Sequence, residues 1–121
     1  MARRPEEYLL DIFDAVAAVR AYTRRGRSAF LRSAMARDAV IARLSQIGEA
    51  VKGAQSGGID LEALAPEIPW RQIAGMRDVL SHQYWRTDPA IVWGVAAKDL
   101  VPLEAALRKI RGRKIRRSRR P

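Results

Sequence analysis

The sequence predicts an all-α bundle of four main helices with a short extra helical segment. Three observations carry this. Apolar residues recur at helical spacing along the chain. No stretch alternates strictly between apolar and polar residues, as a half-buried strand would. Proline, glycine and capping residues fall between the periodic stretches, where helices start and stop. A length of 121 residues fits one domain with a real but small core.

The first helix opens at Pro5 with Glu6 and Glu7, residues suited to a first helical turn. Tyr8, Leu9, Ile12, Phe13, Val16 and Val19 make its apolar stripe. Its end is expected near Arg24 to Gly26, where cations meet the negative end of the helix dipole. Ser28 is the expected cap of a second, long helix with Leu31, Met35, Val40, Ile41, Leu44, Ile47 and Val51 on its stripe. Gly48 lies inside that pattern, where glycine costs about 1 kcal/mol relative to alanine, so a close neighbouring helix is expected there.

Gly53 to Gly58 reads as a turn-rich break. Asp60 can cap a short helical segment over Leu61 to Ala65. Pro66 and Pro69 impose an extended connection, and Pro69 suits the first position of a third helix carrying Trp70, Ile73, Met76, Val79 and Leu80. Thr87-Asp88-Pro89 starts a fourth helix through Ile91, Val92, Trp93 and Val95. Pro102 should kink or divide it, with Asp99 capping a second half that ends near Ile110. The expected organisation is a helical domain over 1–110 and a disordered basic tail over 111–121.

Composition excludes several chemistries. There is no cysteine, so disulfides, thiolate metal sites and cysteine nucleophiles are ruled out. The single histidine rules out a metal site built from several histidines of one chain. No metal or cofactor is expected. No apolar run approaches the ~20 residues of a membrane span. Arg3 and Arg4 are followed by Pro5-Glu6-Glu7 rather than an apolar run, so the expected location is cytoplasmic. The formal charge is +10, but nine basic residues and no acid fall in 108–121. The rest of the chain is close to neutral. Such a tail can bind a polyanion or serve only solubility. Arg20, Arg24, Arg25, Arg27 and Arg32 form a second basic cluster, which could guide RNA or be a solvated face.

The segment that carries chemistry is Arg77-Asp78-Val79-Leu80-Ser81-His82-Gln83-Tyr84. It gathers groups suited to phosphoryl chemistry. His82 can act as general base or acid near neutral pH. Arg77 offers a planar fork that matches phosphate oxygens. Asp78 can orient either, and Tyr84 offers a hydroxyl. On a straight helix Arg77 and His82 stand about 140° apart, so their convergence needs a helix end near Ser81 or a second chain. Without further context, one histidine near a helix end is more often structural than catalytic. Trp70, Trp85 and Trp93 could stack on bases but suit packing better.

The Arg77–Tyr84 segment resembles the Arg-x-x-x-x-His-x-Tyr motif of the HEPN superfamily, in its HepT-like group. The context resembles it too: Ile47-Gly48-Glu49-Ala50 on the second helix, the Pro69-Trp70 approach, and Asp88-Pro89 with Ile91-Val92-Trp93. The similarity runs through most of residues 6–110 in the expected order, and the basic tail lies outside it.

The resemblance implies a homodimer with the motif at a cleft between protomers. It implies a metal-independent ribonuclease, the toxin of a type II pair, with RNA as substrate. Arg77 and His82 would be catalytic, with Asp78 supporting them where the family often has asparagine. Glu49 would be at most a supporting group. The implied partner is a nucleotidyltransferase antitoxin of the MNT (MntA-like) type, which would transfer AMP to Tyr84. Two other readings remain open: a non-catalytic HEPN adaptor that binds RNA or a nucleotide, and nucleic-acid binding through the basic tail.

Overall fold

The computed structural model describes residues 3–80 and 88–118, with the backbone alone for 77, 79 and 112–118. Among the described residues the protein is all-α. Helix α1 spans Pro5–Tyr22, with Pro5 at the first position and Glu6 and Glu7 in the first turn. Leu9, Ile12, Val16 and Val19 are buried, which is the 3–4–3 spacing of one helix face. Thr23 closes the helix, its hydroxyl donating to the Val19 carbonyl at 2.8 Å. The helix therefore stops slightly before the expected arginines.

The expected second helix is two. Helix α2 is short, Arg27–Leu31, and α3 runs Ala34–Ser56. The cap of the long helix is Ser33, not Ser28: the Ser33 hydroxyl accepts from the Ala36 N–H at 3.0 Å. Ser28 instead receives a hydrogen bond from Arg32. Phe30 explains the break. It is buried and packs on Trp93 with ring centroids 5.6 Å apart, so the chain must turn to aim it inward. Met35, expected in the stripe, is 82% exposed.

Helices α1 and α3 pack antiparallel along their length, forming the main layer of the core. Close approaches of α1 are seen toward the end of α3. A Cβ at Gly53 would overlap the Tyr8 ring, and one at Gly57 would stand 2.6 Å from Pro5 Cγ. Gly53 thus belongs to the helix, not to a break, because the Tyr8 ring takes the space its side chain would fill. Gly48 is buried.

Asp60 caps helix α4, Leu61–Leu64, accepting from the Ala63 N–H at 3.1 Å. The expected third helix is divided at Gly75 into α5, Trp70–Ala74, and α6, Met76–Leu80. Pro69 is the N-cap of α5, one position before the expected one. Asp88 caps α7, Pro89–Gly94, accepting from the Ala90 N–H at 3.1 Å with Pro89 in the first turn.

A π-helical turn, Val95–Asp99, joins α7 to α8, Leu100–Ser118. Pro102 sits in the first turn of α8, where the missing N–H costs little. The division falls just upstream, in the wider turn, where the Leu100 N–H reaches back to the Val95 carbonyl. Helix α8 does not end near Ile110. Its backbone stays helical to Ser118, through most of the segment expected to be a disordered tail. Arginine and lysine are good helix formers, and cations suit the C-terminal end of the dipole.

Candidate active site

The motif begins on α6. Leu80 is buried and Met76 partly buried, and α6 packs on α3. These apolar anchors hold the backbone of Arg77 and Asp78 against the middle layer of the bundle. Asp78 is exposed, and its N–H donates to the Gly75 carbonyl at 3.1 Å, a tight turn at the start of α6. The Arg77 side chain, His82 and Tyr84 lie outside the described residues, as do Ser81, Gln83 and Trp85. The chain re-enters at Asp88, whose cap fixes the start of α7.

The approach to the motif is rigid. Trp70 is 1% exposed, and its indole N–H donates to the Ala65 carbonyl at 2.8 Å. That bond pins the Pro66–Pro69 connection onto the head of α5. Ile68 and Ile73 are buried on either side. Trp70 is therefore a core residue. Trp93 is half-buried against Phe30.

The Ile47-Gly48-Glu49-Ala50 segment divides by face. Ile47, Gly48 and Ala50 are buried, while Glu49 points into a cleft of about 810 Å³ between α1 and α3. Glu49 lies 3.9 Å from Lys52 there. Arg3 closes one end of the cleft, bonded to Asp11 and Glu7 and stacked 4.7 Å over the Tyr8 ring. The Asp11 bond, then the Glu7 bond, push the Arg3 guanidinium above its ordinary range. Asp78 does not line this cleft. No group of three metal-ligating side chains occurs among the described residues.

The second basic cluster is sorted by the fold. Arg20 is withdrawn from it by Glu104, whose two oxygens lie 2.7 and 2.9 Å from Arg20 Nη1. Arg24, Arg25, Arg27 and Arg32 are exposed.

Comparison with known proteins settles the family. Residues 12–110 match the family model described as "Ribonuclease HepT-like". The chain belongs to the HepT-like ribonuclease family. The matched span of this HepT-like chain contains the whole Arg77–Tyr84 segment. It is 37% identical to the "Probable ribonuclease HepT" of Thermococcus cleftensis, over 92% of this chain and 99% of that one. It is 29% identical to a provisionally named RNase of Methanocaldococcus jannaschii, over 81% of this chain and 88% of that one. A second such protein of that organism, named as a gamma-glutamylcyclotransferase and provisional RNase, is 33% identical. The HepT-like chain covers 46% of its length. No solved structure matches. Among the described residues, no helix of the HepT-like chain is long and apolar enough to cross a membrane.

Proposed function

We propose that this chain is a metal-independent endoribonuclease, the toxin of a type II toxin–antitoxin pair, acting as a homodimer. Membership of the HepT-like family supports a ribonuclease function. The observation that carries the finer reading is that the matched span includes an intact Arg-x-x-x-x-His-x-Tyr segment. A pure scaffold needs neither an arginine nor a histidine at those positions.

Two copies of the motif supply what one chain lacks. One His82 takes the proton from an RNA 2′-hydroxyl as that oxygen attacks phosphorus. The partner's His82 protonates the leaving 5′-oxygen as the P–O5′ bond breaks. Acid–base assistance of this kind contributes about 10²–10⁴-fold. The two Arg77 guanidiniums stabilise the charge that builds on the phosphorane. Asp78 orients Arg77. The products are a 2′,3′-cyclic phosphate end and a 5′-hydroxyl end. RNA carries its own nucleophile, so no metal is required and DNA resists cleavage. A nucleotidyltransferase antitoxin silences the site by transferring AMP to Tyr84. The bulk and charge of the AMP then stand beside His82.

The test is cleavage of labelled RNA in EDTA by wild type, His82→Ala and Arg77→Ala. Activity in wild type that is lost in both variants, with the dimer retained, supports the reading. Activity kept in His82→Ala, or a wild type inactive when prepared free of antitoxin and AMP, overturns it.

A further inference from the structure

A basic groove lies at the end of the bundle formed by the C-terminus of α1, helix α2 and the N-terminus of α3. It encloses about 360 Å³ and has an apolar floor of Ala29, Phe30, Ala36 and Ala39. Tyr22 and Met35 stand at its lip, 39% and 82% exposed. Arg25 lines it, and Arg24, Arg27 and Arg32 surround it in sequence. Residues 15–37 contain six arginines and no acid. Among the described residues Arg24, Arg25, Arg27 and Arg37 make no ion pair.

Helix stability accounts for only part of this charge. Arg24 and Arg25 follow α1, where cations suit the dipole. Arg32 and Arg37 flank the start of the 23-residue helix α3, where the dipole favours anions and repels cations. Arg27 occupies the first position of α2. Gly26, at φ 94°, turns the chain between Arg25 and Arg27, in a conformation L side chains rarely adopt. The fold thus holds uncompensated cations around an exposed aromatic ring.

We propose that this groove is a single-strand RNA subsite, separate from the cleavage motif, with Tyr22 stacking a base and Arg24, Arg25 and Arg27 holding backbone phosphates. Single-strand binders combine these two elements: a cationic track and an aromatic platform. Phe30 in the groove floor packs on Trp93 of α7, the helix that follows the motif in sequence. Trp93 follows the Asp88 cap by five residues, a rise of about 8 Å. An RNA strand threaded past the start of α7 therefore passes within a few nucleotides of the groove. The inference rests on the ribonuclease reading for its choice of RNA over an acidic protein, and its test is made independent of cleavage.

The test is fluorescence anisotropy of a labelled 12-nucleotide RNA carrying 2′-O-methyl groups, which removes the cleavage nucleophile. The variants are Arg24→Ala/Arg25→Ala/Arg27→Ala, Tyr22→Ala and Tyr22→Phe. A control of equal charge loss carries Arg71→Ala, Lys98→Ala and Lys109→Ala, all at exposed positions. The rim triple should lose at least tenfold in affinity and lower the salt slope by about 2, at ~0.7 per phosphate contact on a single strand. The charge control should lose less than threefold. Tyr22→Ala should lose about fivefold or more, and Tyr22→Phe should keep affinity, because stacking uses the ring.

Equal losses in the rim and control triples would overturn the subsite. So would unchanged binding in Tyr22→Ala, or displacement of RNA by polyglutamate at equal charge concentration. The two readings fail separately. Groove-dependent binding by a wild type that cleaves no RNA would keep the subsite and discard the nuclease. Cleavage of a four-nucleotide RNA by the rim triple, with no groove-dependent binding, would do the reverse.

Discussion

Arg20 of α1 and Glu104 of α8 meet at 2.7 Å, and Arg108 approaches the same carboxylate at 3.0 Å one turn further along α8. Two turns of α1 earlier, Phe13 lies under the guanidinium of Arg111, 5.6 Å from its ring centroid. These contacts fix α8 antiparallel to α1. Glu104→Gln should therefore loosen the α1–α8 seam. The Glu104 carboxylate is 16% exposed but Arg20 is 60% exposed, so solvent screens the pair. The expected loss is about 0.5–1 kcal/mol, read as a lower urea midpoint with an unchanged m-value.

The two serines near the start of α3 separate cleanly in a denaturation experiment. Ser33→Ala removes the acceptor for the Ala36 N–H and should cost about 1 kcal/mol. Ser28→Ala removes only an exposed bond from Arg32 and should stay within about 0.5 kcal/mol of wild type. The reverse order would place the cap at Ser28.

Trp70→Phe keeps an aromatic ring but deletes the indole donor to Ala65, leaving that carbonyl with the Ile68 N–H alone. A loss of about 1–2 kcal/mol is expected from the lost hydrogen bond and the smaller ring. Because Trp70 heads the connection to α5 and α6, any ribonuclease activity should fall in parallel. Full activity in a strongly destabilised Trp70→Phe would show that the motif is positioned without this anchor.

Incubation with a nucleotidyltransferase antitoxin and ATP should add one AMP mass per Tyr84. The Tyr84→Phe protein should gain none by intact-mass spectrometry. An adduct that persists in Tyr84→Phe would move the modification elsewhere.

Removal of 111–121 tests the Arg-rich end of α8 against the motif. RNA cleavage by the truncated chain should persist, while total RNA binding should weaken and its salt dependence flatten. Loss of cleavage at low salt would assign the nuclease reading's RNA grip to the tail.

Much of the fold was legible because helix signals are local. The Pro5-Glu6-Glu7 start, the Asp60 cap and the Asp88-Pro89 start all recur in the structure. The choice between Ser28 and Ser33 was not legible, since both are good caps and only the inward aim of Phe30 separates them. The same holds for Gly53, whose role depends on the Tyr8 ring from another helix. For the site, the sequence marks the Arg77–Tyr84 segment, and family membership agrees with the resemblance seen there. The described structure adds where Arg77 and Asp78 sit on α6 and what anchors that helix.

By itself the sequence determined the all-α class and several helix starts, where the excess charge lies, and which short segment can do phosphoryl chemistry. Those are properties of backbone propensity, periodicity and side-chain type. Only the tertiary structure decided how the charges group. Arg20 belongs to the α1–α8 seam rather than to the cluster around Arg24, Arg25 and Arg27. The antiparallel pairing of α1 and α8 sends the Arg-rich end of α8 away from that cluster, with Ser118 about 20 Å of helical rise beyond Glu104. Two basic regions that sequence alone could have merged into one surface are set apart, because helix direction follows from which faces pack.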